Sequence, residues 1–156
     1  MRIDYDHPPE GLFVYRAKTH FDELDPLNVL HHSRYLKHLE RAQQAMFDQI
    51  MTTEAFDPER YPDLYVVVRN ITIDYLRPLR GVSPFLVALR VVRLREAGLT
   101  TAFSFRTPDG NEEYSRGLRT VCRLSTKTHQ PCGWTTLFRE RHATWLEASS
   151  RFDAAF

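Results

Sequence analysis

The sequence predicts an α+β domain in which one antiparallel sheet wraps around a single long helix. Two observations predict it. One helical stripe of nearly twenty residues stands out in an otherwise β-patterned chain. One strand precedes that helix, and four strand-like segments separated by turn signals follow it.

Each element has its own reason. Leu12 to Phe21 reads as a strand, with Phe13, Tyr15 and Ala17 alternating against Val14, Arg16 and Lys18. Asp22 to Asn28 is acidic, holds Pro26, and reads as a loop. Ser33 suits the N-cap of the helix that follows. There Leu36, Leu39, Ala42, Met46, Phe47 and Ile50 recur at spacings of three and four, and the helix ends near Met51. Asp63 to Arg77 is dense in β-branched and aromatic residues and is closed by Pro78 and Gly81. Phe85 to Arg95 places Phe85, Val87, Leu89 and Val91 on one side. Leu99 to Arg106 and Glu112 to Thr126 flank Pro108-Asp109-Gly110-Asn111, a hairpin turn. The four later strands are expected to follow one another by hairpins. Leu137 to Ser149 returns to helical spacing.

A length of 156 residues suits one domain, 1–156, with a core over about 12–128 and a C-terminal extension, 129–156, forming a short helix. With 21 Lys+Arg against 20 Asp+Glu, the chain lacks the basic excess of a nucleic-acid binder. No apolar run reaches the roughly 20 residues of a membrane span, so no membrane insertion is expected. The polar start, Met1 to Glu10, has no apolar signal region. Cys122 and Cys132 match no zinc spacing and read as free thiols, one on a strand and one in a turn. A cytoplasmic location follows as an expectation.

The chemistry is expected where the acidic loop meets the helix. A helix start presents unpaired N–H groups and partial positive charge, which polarise a carbonyl and stabilise an oxyanion. A carboxylate beside it serves as nucleophile or as general base for water. Asp25 is the candidate, although it equally suits the turn before Pro26. Asp22 and Glu23 are expected to be solvated. His31, His32 and His38 lack the HExxH pattern or acids at metal-ligand spacing, so no metal is expected. Glu40 reads as an exposed partner of Lys37 or Arg41. Wrapped by the sheet on most sides, the helix is expected to be reachable mainly at its N-terminus.

Asp25, His32, Tyr35 and Glu40-Arg41-Ala42, together with Ile73-Asp74-Tyr75-Leu76-Arg77-Pro78-Leu79, resemble the 4-hydroxybenzoyl-CoA thioesterase family. That family includes the acyl-CoA thioesterases associated with the Tol–Pal envelope system. The resemblance runs from about Leu12 to Ser125 and implies the hotdog fold and hydrolysis of an acyl-CoA or acyl-carrier-protein thioester. Coenzyme A enters as part of the substrate, and no separate cofactor is implied. Asp25 matches the catalytic carboxylate, and His32 the position whose backbone N–H polarises the thioester carbonyl. Asn28, which stands where the family usually has Gly, and Tyr35, which opens the helix, are candidates for substrate binding. Phe47, Tyr65 and Tyr75 permit aryl or medium-chain acyl groups alike. Arg77, Arg93 and Arg95, with Arg80 and Arg90 nearby, are candidates for the phosphates of coenzyme A or for a solvated strand face. The resemblance also implies a homodimer or homotetramer with sites at the interface. Two further readings stay open: a hotdog dehydratase or hydratase using His with a carboxylate, and a non-catalytic acyl-thioester-binding module.

Overall fold

A computed structural model describes residues 2–152. Its elements are β1 (Phe13–Lys18), α1 (Arg34–Met51), β2 (Val66–Tyr75), β3 (Pro84–Leu94), β4 (Gly98–Arg106), β5 (Glu113–Arg123) and α2 (Thr136–Ser149). The five strands form one antiparallel sheet in the order β1-β3-β4-β5-β2. The fold class is thus the expected α+β arrangement of an antiparallel sheet around a long helix.

Helix α1 spans 18 residues and ends where the periodicity predicts. Thr52 closes it in the left-handed conformation at φ 56°, its N–H reaching the Asp48 carbonyl. Ser33 occupies the N-cap, yet its side chain caps no helix amide. The stripe Leu39, Ala42, Met46 and Ile50 is buried against Phe85, Val87, Leu89 and Val91, the β3 face that alternation predicts. The opposite face of β3 buries Leu86 and Ala88 under Tyr5 and Leu12.

Two expectations need correction. First, β2 does not hairpin into β3. It pairs with β5 from Val66↔Arg123 to Tyr75↔Ser115, so the chain must cross the end of the sheet to begin β3. The crossing segment buries Leu79 completely and bonds its carbonyl to the Leu30 amide at 2.8 Å. A β-rich run announces strands but not their neighbours, and here an inserted core residue makes the connection structural. Second, the core does not stop near residue 128. Trp134 and Phe138 stack at 4.0 Å inside the main core, and α2 packs on the same face as α1.

Among the described residues no helix is long and apolar enough to cross a membrane. Cys122 on β5 and Cys132 in the following loop are free thiols. Strand β2 is an edge ten residues long whose outer side pairs with nothing among the described residues, with Val67, Val68 and Tyr75 exposed.

Candidate functional site

Asp25 heads a tight hairpin. Its carbonyl accepts from Asn28 N at 2.9 Å, its N–H donates to Val29 O at 2.9 Å, and Leu24 bridges Leu30 beneath. Asp then Pro suits the first two positions of a type I turn, and Asn28 takes the left-handed position at φ 59°. The Asp25 side chain contributes to the turn as well: Oδ1 accepts from Leu27 N at 2.8 Å and Val29 N at 3.3 Å. Oδ2 has no hydrogen bond among the described residues. The turn thus engages one oxygen of the carboxylate and leaves the other without a hydrogen bond among the described residues.

Asp25 lines an open cavity of about 310 Å³ together with His32, Tyr35, Tyr75 and Arg77. His32 lies two residues before α1, and its amide donates no hydrogen bond among the described residues. Its carbonyl accepts from the Tyr75 hydroxyl at 2.8 Å. Tyr35 is buried, edge-on to Tyr75 at 5.2 Å and to Phe105 at 5.1 Å. Burial, with Tyr75 alongside, pushes its phenol up to about 12, so it stays neutral and packs. His31 turns to Ser33, with Nδ1 at 2.8 Å from Oγ, and lies 4.2 Å from the His32 ring.

The remaining candidates separate. Asn28 shapes the turn and accepts the Gly81 amide at 2.8 Å, but does not line the cavity. Arg77 lies at the rim and pairs with Glu112 at 2.7 Å, both side chains exposed. Arg80 is exposed beside it, its main chain bridging Val29. Arg93 and Arg95 are exposed at the far end of β3, roughly 30 Å of extended strand from the crossing segment. A β-bulge between Val91 and Arg93 shifts the register just before them, and β3 stops at Leu94. Arg90 is buried. Within one chain, Arg77 alone of the proposed phosphate ligands reaches the Asp25 cavity.

Helix α1 is also reached along its flank, contrary to expectation. A second cavity of about 350 Å³ lies between α1, β5 and α2, walled by Phe47, Leu99, Val121, Trp134 and Phe138. Glu40, Gln43, Arg119 and His142 add polar groups. Arg119 Nε is buried without a hydrogen-bond partner among the described residues. Burial lowers the Arg119 pKa, against the nearby Glu40 carboxylate, which raises it. Glu40 and Arg119 line the same cavity, and Glu40 forms no ion pair with Lys37 or Arg41 among the described residues. Of the three aromatic candidates, Phe47 lines this cavity and Tyr75 the first, while Tyr65 bonds His129 Nδ1 at 2.8 Å instead.

Sequence reasoning missed Glu23. It is 7% exposed, not solvated, and pairs with the buried His38. The spacing of fifteen residues joins a loop to a helix and carries no local pattern.

The chain belongs to the Thioesterase-like superfamily, which it matches over residues 19–142. No curated protein matches it. Solved structures share its hotdog fold. A thioesterase complexed with coenzyme A and Zn from Thermus thermophilus is 23% identical, with TM-score 0.73, covering 89% of this chain and 97% of its own. A hypothetical protein from Staphylococcus aureus in complex with CoA is 15% identical, with TM-score 0.78, over 91% of this chain and 88% of its own. A 1,4-dihydroxy-2-naphthoyl-CoA thioesterase from Synechocystis is 10% identical, with TM-score 0.72, over 85% of this chain and 96% of its own.

Proposed function

We propose that this protein hydrolyses an acyl thioester of coenzyme A or of an acyl-carrier protein, releasing a free acid and a thiol. One observation carries the reading: an oxygen of Asp25 and the amide of His32, both without a hydrogen bond among the described residues, flank one open cavity at the start of α1. The thioester carbonyl oxygen accepts from the His32 amide, where developing negative charge is best stabilised. In one course Asp25 takes a proton from water as its oxygen attacks the carbonyl carbon. In the other Asp25 attacks directly, and water then cleaves the anhydride. In both, the C–S bond breaks and the thiolate leaves, needing little acid assistance. Tyr35 packs behind the reacting groups, Asn28 holds the turn, and Arg77 offers a cation to the coenzyme A phosphates at the rim.

The α1–α2 cavity supports an acyl group that runs along the helix flank. From Arg34 to Glu40 along α1 is six residue rises, about 9 Å. Two copies joined along the β2 edges would extend the sheet and satisfy its free N–H and C=O groups, which supports a homodimer, or a tetramer of two dimers. Arg93 and Arg95 enter the site only where a second copy brings them. The reading implies a cytoplasmic protein, where thiols such as Cys122 and Cys132 stay reduced. A hydratase would need an accessible, hydrogen-bonded His–carboxylate pair: His38–Glu23 is buried, and among the described residues the exposed His32 ring bonds no carboxylate.

A panel of aryl, medium-chain and long-chain acyl-CoA substrates, assayed by thiol release, tests the reading. Turnover of at least one substrate is expected. Binding of acyl-CoA without thiol release would overturn it in favour of a binding module.

A further inference from the structure

The loop that carries Asp25 is tied to α1 by a buried pair that the hydrolysis scheme does not use. His38 Nε2 lies 3.0 Å from Glu23 Oε1 and 2.9 Å from Oε2, with side chains 1% and 8% exposed. Glu23 Oε1 also accepts the His20 amide at 2.8 Å. The Glu23 carbonyl accepts the His31 amide at 2.9 Å, just beyond the Leu24–Leu30 bridge. Glu23 thus closes the base of the Asp25 hairpin on both strands. Its side chain then fastens that base to His38, in the second turn of α1.

The pair is more elaborate than packing requires. With Nε2–H donating to the carboxylate, His38 Nδ1 is left as a buried acceptor with no partner among the described residues. Its ring stands edge-on to Phe85 at 5.0 Å, in apolar surroundings. An unmet buried acceptor is destabilising, and apolar side chains of similar volume commonly replace buried polar pairs at no loss of stability. What an apolar pair does not supply is direction. The two-oxygen contact fixes the loop laterally against the helix, and with it the offset between the Asp25 carboxylate and the His32 amide.

We propose that Glu23 and His38 are positioning residues that hold Asp25 in register with the start of α1, so that both meet the same carbonyl. The proposal rests on the thioesterase reading above. A misplacement of about 1 Å is enough to reduce turnover on the order of a hundredfold.

The test uses the full chain and whichever of benzoyl-CoA and decanoyl-CoA is turned over faster, with Asp25→Asn as reference. His38→Leu and Glu23→Ala are expected to lower kcat on the order of tenfold or more with KM little changed. Glu23→Gln, whose amide oxygen still accepts from His20 and His38, is expected to recover most of the loss. Hydrogen exchange should quicken at the Asp25 and Asn28 amides while the β3–β4 amides keep their protection. If Glu23→Ala fails to fold, His38→Leu carries the test, because it preserves apolar volume. Unchanged kcat in His38→Leu, or exchange that rises equally across the sheet, would overturn the positioning role. Full activity in Asp25→Asn would instead remove Asp25 from the chemistry, and absence of thiol release by the wild type on both substrates would overturn the thioesterase reading itself, so the failures are distinguishable.

Discussion

The Tyr75 hydroxyl donates to the His32 carbonyl at 2.8 Å, joining the last residue of an edge strand to the turn that starts α1. This bond holds the peptide preceding Ser33, and hence the direction in which the neighbouring amides point. Tyr75→Phe removes the donor and keeps the ring against Tyr35. We expect a loss of several-fold in kcat/KM with a change in stability of about 1 kcal/mol or less. Steady-state kinetics beside thermal melting checks both.

Asp25→Asn should separate the two tasks of that residue. The side-chain oxygen still accepts from Leu27 and Val29, so the turn survives. The proposed nucleophile or base does not, and kcat should fall by about two to four orders of magnitude. Thiol-release assays with circular dichroism on the same sample measure it. Wild-type turnover would exclude Asp25 from the chemistry.

Asn28 tests the turn alone. At φ 59° a β-branched side chain is strained, so Asn28→Val should destabilise by about 1–2 kcal/mol. On a chain of this length that is a drop of several degrees in Tm. Asn28→Gly should stay within about 0.5 kcal/mol of wild type, since glycine adopts this conformation freely.

The arginines discriminate site from surface. Arg77→Ala should raise KM for acyl-CoA several-fold while leaving KM for a truncated pantetheine thioester unchanged. The double variant Arg93→Ala, Arg95→Ala should leave KM for acyl-CoA unaltered if each site is built by one chain. A rise in that variant would show that a second copy supplies these residues.

His142 gives the fold a pH dependence. It is 2% exposed, stacks on Phe138 at 3.7 Å, and donates from Nδ1 to the Phe138 carbonyl at 2.9 Å. Burial pushes its pKa down to about 4, against the main-chain bond, which raises it. Between the ordinary value near 6.5 and 4, the unfolded chain binds a proton that the folded chain refuses. Stability contributed by the neutral ring is therefore complete above about 6.5 and is lost as pH falls towards 4, amounting to roughly 3 kcal/mol. Denaturant titrations at pH 7 and pH 4.5 should show a smaller loss in His142→Phe than in wild type.

Much of this was legible from local pattern. The helical stripe from Leu36 to Ile50, the alternation of Phe85 to Val91 and the Asp25-Pro26 turn each follow from short-range stereochemistry, and each appears where expected. The partnering of β2 with β5 was not legible, because pairing depends on the burial of Leu79 and on the whole sheet closing over α1. The burial of Glu23 was hidden for the same reason. An acidic residue in an acidic loop reads as solvated until the fold brings His38 over it. Arg93 and Arg95 alternate as a pair in sequence, but alternation says nothing about which end of a sheet faces the Asp25 carboxylate.

The α1–α2 cavity has a consequence for how this protein could change. Trp134, Phe138 and His142 are at once its walls and the bolts that close the core at the C-terminal end. On the proposed reading, in which this chamber holds the acyl group, a substitution that reshapes it also loosens α2, whereas changes at exposed residues of the Asp25 cavity such as His32, Leu76 and Arg77 leave the core alone. Drift in acyl preference is thereby yoked to thermal tolerance, and broadened chain-length range should be easiest to select in variants first stabilised elsewhere.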